Sequence, residues 1–119
     1  MTKSKSWFAV RVLLESQHPE EPDVESLFED RIVLVRADDE DEARRRGEDY
    51  GKGEECEYKN TYDKIVRELF REVLDVVDVM ADQIGDLTEV YHHYLTPKEL
   101  KHVRRALEPL PDGVEAAPL

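Results

Sequence analysis

The sequence contains a single cysteine and no long apolar run, and its acids far outnumber its bases. Because Cys56 has no second cysteine to bond with, a disulfide framework and a zinc site of several cysteines are excluded. No run of about 18 apolar residues is present. The apolar segment near the start is interrupted by Arg11, so it does not fit a signal peptide. We therefore expect a cytoplasmic protein with no membrane partner.

The charge balance limits the partners further. Lys and Arg total 17 against 29 Asp and Glu, which gives a net charge of -12 near neutral pH. Such a charge repels phosphate backbones, so we expect no nucleic-acid partner. The excess acid is concentrated in residues 15–30 and 38–57. These segments form either a solvated surface or a docking surface for a basic protein.

The length of 119 residues suits one domain. We place this domain at residues 1–108, because the apolar residues there occur in clusters. The proline-rich residues 109–119 are predicted to form a disordered tail.

Apolar residues at every second position predict a first strand over residues 7–15. One side of its repeat carries Phe8, Val10, Val12 and Leu14. Residues 17–27 contain two prolines among acids and predict a loop. A second strand is predicted at residues 28–36, where the apolar run 32–35 is typical of a central strand. The open loop between the two strands indicates antiparallel pairing.

A helix is predicted at residues 39–50, because acids precede bases there and suit the helix dipole. Asp38 is the expected N-cap, and Gly51 and Gly53 are expected to end the helix. Its narrow apolar face consists of Ala43, Gly47 and Tyr50. Such small residues would let the helix backbone lie close to a sheet.

The second half of the chain is more ambiguous. A third strand is predicted near residues 55–61. Residues 64–80 fit both a helical and a strand repeat. The pattern alone favours a helix for the first half, and residues 64–72 stay open between helix and strand. Residues 73–79 are β-branched and apolar enough for a strand. Residues 88–95 are a further candidate strand.

A last helix begins with a clear start signal. Thr96, Pro97 and Glu99 form a capping box with proline at the first helical position. The buried stripe of this helix is predicted to consist of Leu100, Val103 and Leu107.

Several segments, taken in order, follow one known pattern. They are residues 7–11, residues 28–35, the acidic run ahead of Ala43, residues 73–76, residues 88–91, and Tyr94 with Leu95. This order resembles the bacterial domain-of-unknown-function 4288 family over roughly residues 7–95. The resemblance implies a compact α+β domain in which residues 73–79 form a strand, and it implies no activity or catalytic residue. Family members usually carry a glycine directly before the position of Thr88, where this chain has Leu87 and places Gly85 earlier.

The potential metal ligands do not follow a metal-binding pattern. His92 and His93 would point to opposite faces of a strand, so at most one of them could join a site with a ligand from elsewhere, such as His102. Cys56 lies among acids, which raise a thiol pKa and disfavour a nucleophile. We expect no metal and no cofactor.

The segments together predict an α+β fold. It is a small antiparallel meander sheet of four or five strands, with one helix after the second strand and one at the C-terminal end. The expected function is a non-catalytic protein-interaction module of a bacterial cytoplasm that binds another protein or forms a homodimer. One alternative is an immunity or antitoxin-like inhibitor whose acidic surface binds a basic partner such as a nuclease. A further alternative is a small enzyme or ligand-binding protein with a sheet-lined pocket.

Two sets of residues follow from these hypotheses. The candidate partner surface consists of Glu20, Glu21, Asp23, Glu25, Glu29 and Asp30. The candidate pocket consists of Glu89, Tyr91 and His93. No catalytic residue is assigned, because no nucleophile with a paired base is recognisable.

Overall fold

The structure, a computed structural model, describes residues 5–109 and confirms the α+β class. The elements of this range are β1 (Ser6–Gln17), β2 (Leu27–Ala37), α1 (Glu40–Gly53), β3 (Cys56–Lys59), β4 (Ile65–Asp78) and α2 (Pro97–Ala106). Neither helix of this range is long and apolar enough to cross a membrane. The predicted tail beyond Pro109 lies outside the described residues.

The four strands form one antiparallel sheet in the order β2-β1-β4-β3. The predicted pairing of the first two strands is confirmed. The order differs from a simple meander because β1 pairs with both β2 and β4, which leaves β2 and β3 at opposite edges. The expectation that β2 is central is therefore wrong. Its apolar run is covered on one face only: Val35 is buried, whereas Ile32 and Leu34 are exposed.

Helix α1 crosses one face of the sheet and covers the core. Its N-cap is Asp39 rather than the predicted Asp38, because Glu42 N donates to Asp39 Oδ1 at 2.8 Å. The helix continues past Gly51, since that residue packs inside against the Phe70 ring. The buried apolar residues of this core are Phe8, Val10, Val12, Leu14, Val35, Ala37, Ala43, Val73 and Val76. The predicted close approach of a small-residue helix face to the sheet is confirmed.

Strand β4 resolves the ambiguity of residues 64–72 in favour of a strand. Its register against β1 shifts twice, and Leu74 and Arg71 are the residues skipped in the pairing. Each shift is a bulge that adds one residue between core-facing positions. The core-facing residues Phe70, Val73 and Val76 are therefore three apart, which imitates a helical period although the backbone is extended.

Residues 79–96 carry no strand, so the prediction for residues 88–95 is wrong. The segment passes across the sheet face rather than along a sheet edge, and its backbone therefore has no ladder to join. The capping box of α2 is confirmed at Thr96. The predicted buried stripe of α2 is wrong: Leu100, Val103 and Leu107 are all exposed.

The exposure of that stripe follows from the position of α2. Within residues 5–109, α2 packs against no other helix or strand. The radius of gyration is 17.1 Å, compared with about 13 Å for a compact chain of about 100 residues. Helix α2 therefore extends from the domain instead of adding to its core.

A turn at residues 85–88 precedes this segment. Thr88 N donates to Gly85 O at 3.2 Å, and Gly85 N donates to Thr88 Oγ1 at 2.9 Å. The third residue of the turn, Leu87, has a φ of 62°, in the left-handed region that favours glycine. This explains why a glycine suits the position directly before Thr88.

Replacing Leu87 by glycine is expected to stabilise the fold. The left-handed backbone costs a side-chain-bearing residue about 1–2 kcal/mol, and part of that gain is lost to the greater unfolded-state freedom of glycine. Leu87 is 95% exposed, so little packing is lost. We expect the free energy of unfolding to rise by about 0.5–1 kcal/mol, measured by thermal unfolding. The neighbouring substitution Asp86→Gly should not raise the free energy of unfolding. An equal gain from both variants would contradict the claim that the backbone at Leu87 is strained.

Candidate functional site

The sheet face opposite α1 carries the candidate site, and we call it the open face. The pairing register assigns its side chains. They are Trp7, Ala9, Arg11, Leu13 and Glu15 on β1; Phe28, Asp30, Ile32, Leu34 and Arg36 on β2; and Leu69, Arg71, Glu72, Leu74, Asp75 and Val77 on β4. No helix packs closely on this face in the part of the chain that the structure describes, although α2 borders a groove beside Arg11.

A polar cluster occupies the centre of the open face. Arg11 Nε donates to the two carboxylate oxygens of Asp30 at 2.7 and 2.8 Å. Tyr91 reaches the cluster from residues 79–96: its hydroxyl donates to Asp75 Oδ2 at 2.9 Å and accepts from Arg11 Nη1 at 3.4 Å. We call Arg11, Asp30, Asp75 and Tyr91 the Arg11 cluster. It attaches the extended segment to the sheet.

The electrostatics of the Arg11 cluster keep its donors protonated. The hydrogen bond to Asp30 raises the pKa of Arg11. Burial, followed by the hydrogen bond to Asp75, raises the pKa of the Tyr91 hydroxyl. Neither group therefore acts as a base near neutral pH, and the charge of Arg11 is already matched by a carboxylate. The cluster is suited to holding the segment in place.

Sequence reasoning missed this cluster except for Asp30 and Tyr91, which it assigned to two separate sites. The available signal was a charged residue inside each apolar strand. Arg11 interrupts the first strand, and Asp75 interrupts the valine-rich run. Opposite charges on half-covered strands commonly meet across a sheet.

The candidate pocket is only partly assembled. The Tyr91 and His93 rings meet edge to face with centroids 5.6 Å apart. Glu89 instead contacts His92, with 3.1 Å between Oε1 and Nδ1. Glu89 lines a hollow of about 110 Å³, whereas His93 lines a separate groove of about 340 Å³ between Arg11 and α2. The predicted acid and imidazole therefore do not converge on one site.

The candidate partner surface divides into two groups. Asp30 belongs to the Arg11 cluster, and Glu29 pairs with Arg31, with 2.8 Å between Oε1 and Nη2. The other four acids lie in the loop between β1 and β2 and form no ion pair with the residues at 5–109. They are Glu20, Glu21, Asp23 and Glu25. Of the six acids of the candidate partner surface, these four keep their charge unmatched within residues 5–109.

Among the described residues, no group of three His, Cys, Asp or Glu side chains is placed to hold a metal ion. Cys56 is exposed on the short edge strand β3. His92 and His93 each contact a tyrosine ring of the same segment.

Glu15 is the buried carboxylate at the end of the open face. Hydrogen bonds from Ser26 and Arg71 hold its pKa below the ordinary value of 4.5. The ionised group therefore stabilises the fold above that pH, and the contribution disappears as the pH falls through the lower folded-state pKa.

Glu15→Gln is expected to lower the free energy of unfolding by about 1–2 kcal/mol at pH 7. The difference from the unsubstituted protein should shrink below pH 4.5, because the glutamate then becomes protonated. Urea unfolding at pH 7 and pH 3 measures both values. Glu20→Gln, in the exposed loop, should change stability by less than about 0.5 kcal/mol. A pH-independent loss for Glu15→Gln would show that its charge is not involved.

Comparison with known proteins assigns the chain to a family. No curated protein and no solved structure matches the chain. The family model of a domain of unknown function, DUF4288, matches residues 7–92. This range runs from β1 through Tyr91 and includes the whole Arg11 cluster. The chain therefore belongs to the DUF4288 family.

Proposed function

We propose that this chain is a non-catalytic protein-interaction module of the bacterial cytoplasm. The observation that supports it best is the state of α2. The helix has a complete capping box, yet Leu100 and Val103 on it are 37% and 38% exposed, and its C-cap Leu107 is 81% exposed. An apolar helical stripe rimmed by polar residues is typical of a protein-binding surface.

The charges on α2 define the chemistry of the partner. Its bases Lys98, Lys101, Arg104 and Arg105 outnumber the single acid Glu99. The side chain and backbone of Thr96 hold the pKa of Glu99 below its ordinary value, so that acid belongs to the helix cap. The helix therefore suits a partner with an apolar groove bordered by acids.

A binding experiment tests this proposal with two matched double variants of the full chain. The first variant, Leu100→Gln with Val103→Gln, makes the apolar stripe polar. The second, Lys101→Gln with Arg105→Gln, removes two positive charges from the polar side of the helix. We expect a host protein, captured at near-physiological salt, to bind the purified chain directly. The first variant should abolish this binding, and the second should only increase its salt sensitivity. Equal binding by the apolar variant, or capture no different from a charge-matched control protein, would contradict the proposal.

The acidic loop favours a second candidate function, a stoichiometric inhibitor of a basic protein such as a nuclease. Its four unmatched carboxylates lie close in sequence, and two turn hydrogen bonds order the loop: Glu21 N donates to His18 O and Val24 N to Glu21 O, both at 3.0 Å. Reversing Glu20, Glu21 and Asp23 to lysine should abolish inhibition of a host nuclease if this function applies. Unchanged inhibition, or none by the original chain, would remove this candidate.

A further inference from the structure

Within residues 5–109, no strand pairs with the backbone groups along the outer edge of β2. Val79 N donates to Trp7 O at 3.0 Å on the β4 side of β1. The backbone groups of Trp7 therefore point towards β4 and away from β2. Its partner on β2, Arg36, forms no backbone hydrogen bond with Trp7, so the backbone groups of Arg36 point away from β1. Arg46 Nη1 donates to Arg36 O at 2.5 Å, which agrees with this direction. By alternation, Phe28, Asp30, Ile32 and Leu34 also direct N–H and C=O outward.

The same positions carry exposed apolar side chains on the open face. Phe28 is 60% exposed, Ile32 is 44% and Leu34 is 39%. An edge that combines free backbone groups with apolar side chains favours the addition of another strand.

The two edges of the sheet differ in their protection. Strand β3 has four residues and is largely polar, whereas β2 has eleven residues and contains neither proline nor lysine. Three of the four charged residues of β2 are paired within the chain, and the fourth, Arg36, lies over the Trp7 ring. Asp30 is bound by Arg11, and Arg31 is bound by Glu29 and Glu54. Charged residues ordinarily discourage edge pairing, and here that effect is weakened.

We infer that β2 pairs antiparallel with β2 of a second copy, which joins two four-stranded sheets into one. A strand can always meet its own copy in this way across a twofold axis. With the axis at Ile32, outward-pointing residues face one another: Leu34 lies opposite Asp30, and Phe28 lies opposite Arg36. Glu29 and Arg31 then face Val35 and Val33. No like charges are directly opposed on β2, which favours the second copy as the occupant.

Two lysine variants at positions of similar exposure test this pairing by sedimentation equilibrium. Ile32→Lys places two lysines opposite each other on the axis, whereas Leu74→Lys alters the interior strand β4 at a residue 40% exposed. We expect the unsubstituted chain and Leu74→Lys to form dimers. Ile32→Lys should raise the dimer dissociation constant at least tenfold while its circular dichroism remains that of the folded protein. A monomeric unsubstituted chain would overturn the inference, and so would loss of the dimer in both variants.

A cross-link tests the register independently of any loss of folding. Cys56→Ser with Ile32→Cys should form a disulfide-linked dimer on mild oxidation, because directly paired residues of this kind have Cα atoms about 5.5 Å apart. Cys56→Ser with Leu74→Cys should remain unlinked. Equal linking of both variants, or of neither, would contradict pairing at Ile32. This inference goes beyond the proposed function: a monomer that still binds its partner through α2 would remove the dimer alone.

Discussion

Gly47→Ala is expected to destabilise the protein by about 1–2 kcal/mol, although alanine is the better helix former. A Cβ at this position would lie 2.4 Å from Val10 Cγ1. Val10 is fully buried in β1, so either α1 or the side chain must move. Overpacking a tight core costs about 1–3 kcal/mol, and the gain in helix propensity offsets up to about 1 kcal/mol of this. Chemical unfolding at neutral pH measures the net effect.

Gly53→Ala provides the matched control. It lies in the same helix, and its added Cβ would meet nothing within 4 Å beyond its chain neighbours and the backbone of the helix itself. We therefore expect no loss of stability and a gain of up to about 1 kcal/mol. If both alanine variants stabilise the protein equally, α1 can move away from the sheet at little cost, and the close contact at Val10 does not limit the fold.

Arg11→Met is expected to lower the free energy of unfolding by about 2 kcal/mol and to release residues 88–95 from the open face. The substitution leaves Asp30, whose side chain is 42% exposed, without its bidentate partner and removes a donor from the Tyr91 hydroxyl. The Arg11 side chain is 27% exposed. Its contribution should therefore exceed that of a surface ion pair and lie near that of a hydrogen bond to a charged group. Urea unfolding and amide hydrogen exchange measure the two effects.

Arg45→Met is the control for lost charge alone. Arg45 is exposed on α1 and forms no ion pair with the described residues, so the change should stay within about 0.5 kcal/mol. Tyr91→Phe distinguishes the contribution of the segment from that of the ion pair. It removes both hydrogen bonds of the hydroxyl and keeps the Arg11–Asp30 contact. Arg11→Met without faster exchange in residues 88–95 would show that the segment is held by other contacts.

The β1–β2 pair and α1 could be predicted from local patterns. Alternation at Phe8, Val10 and Val12 reports directly which face of β1 is buried, because strand side chains alternate between faces. The sorted charges and small residues of α1 likewise predict a helix that lies close to a sheet. The close approach of Gly47 to Val10 agrees with this prediction. The capping box at Thr96 locates the start of α2, because capping involves only neighbouring residues.

The candidate site depended on contacts between distant segments. Asp30 and Tyr91 join one cluster through Arg11, although they are far apart in sequence. Glu89 contacts His92 instead of His93, and the two predicted partners line different hollows. Such partners depend on strand register, which a single sequence does not specify.

The sequence by itself determined the α+β class, the buried face of β1 and the helix boundaries near their caps, because these depend on local periodicity and capping chemistry. Tertiary structure alone decided the remainder. Pairing of β1 with β4 places β2 at an edge, and bulges at Arg71 and Leu74 produce a strand with helical spacing. The exposure of α2 has the same origin: a helix buries its apolar stripe only where another element packs against it, and no helix or strand of the described chain packs closely on α2.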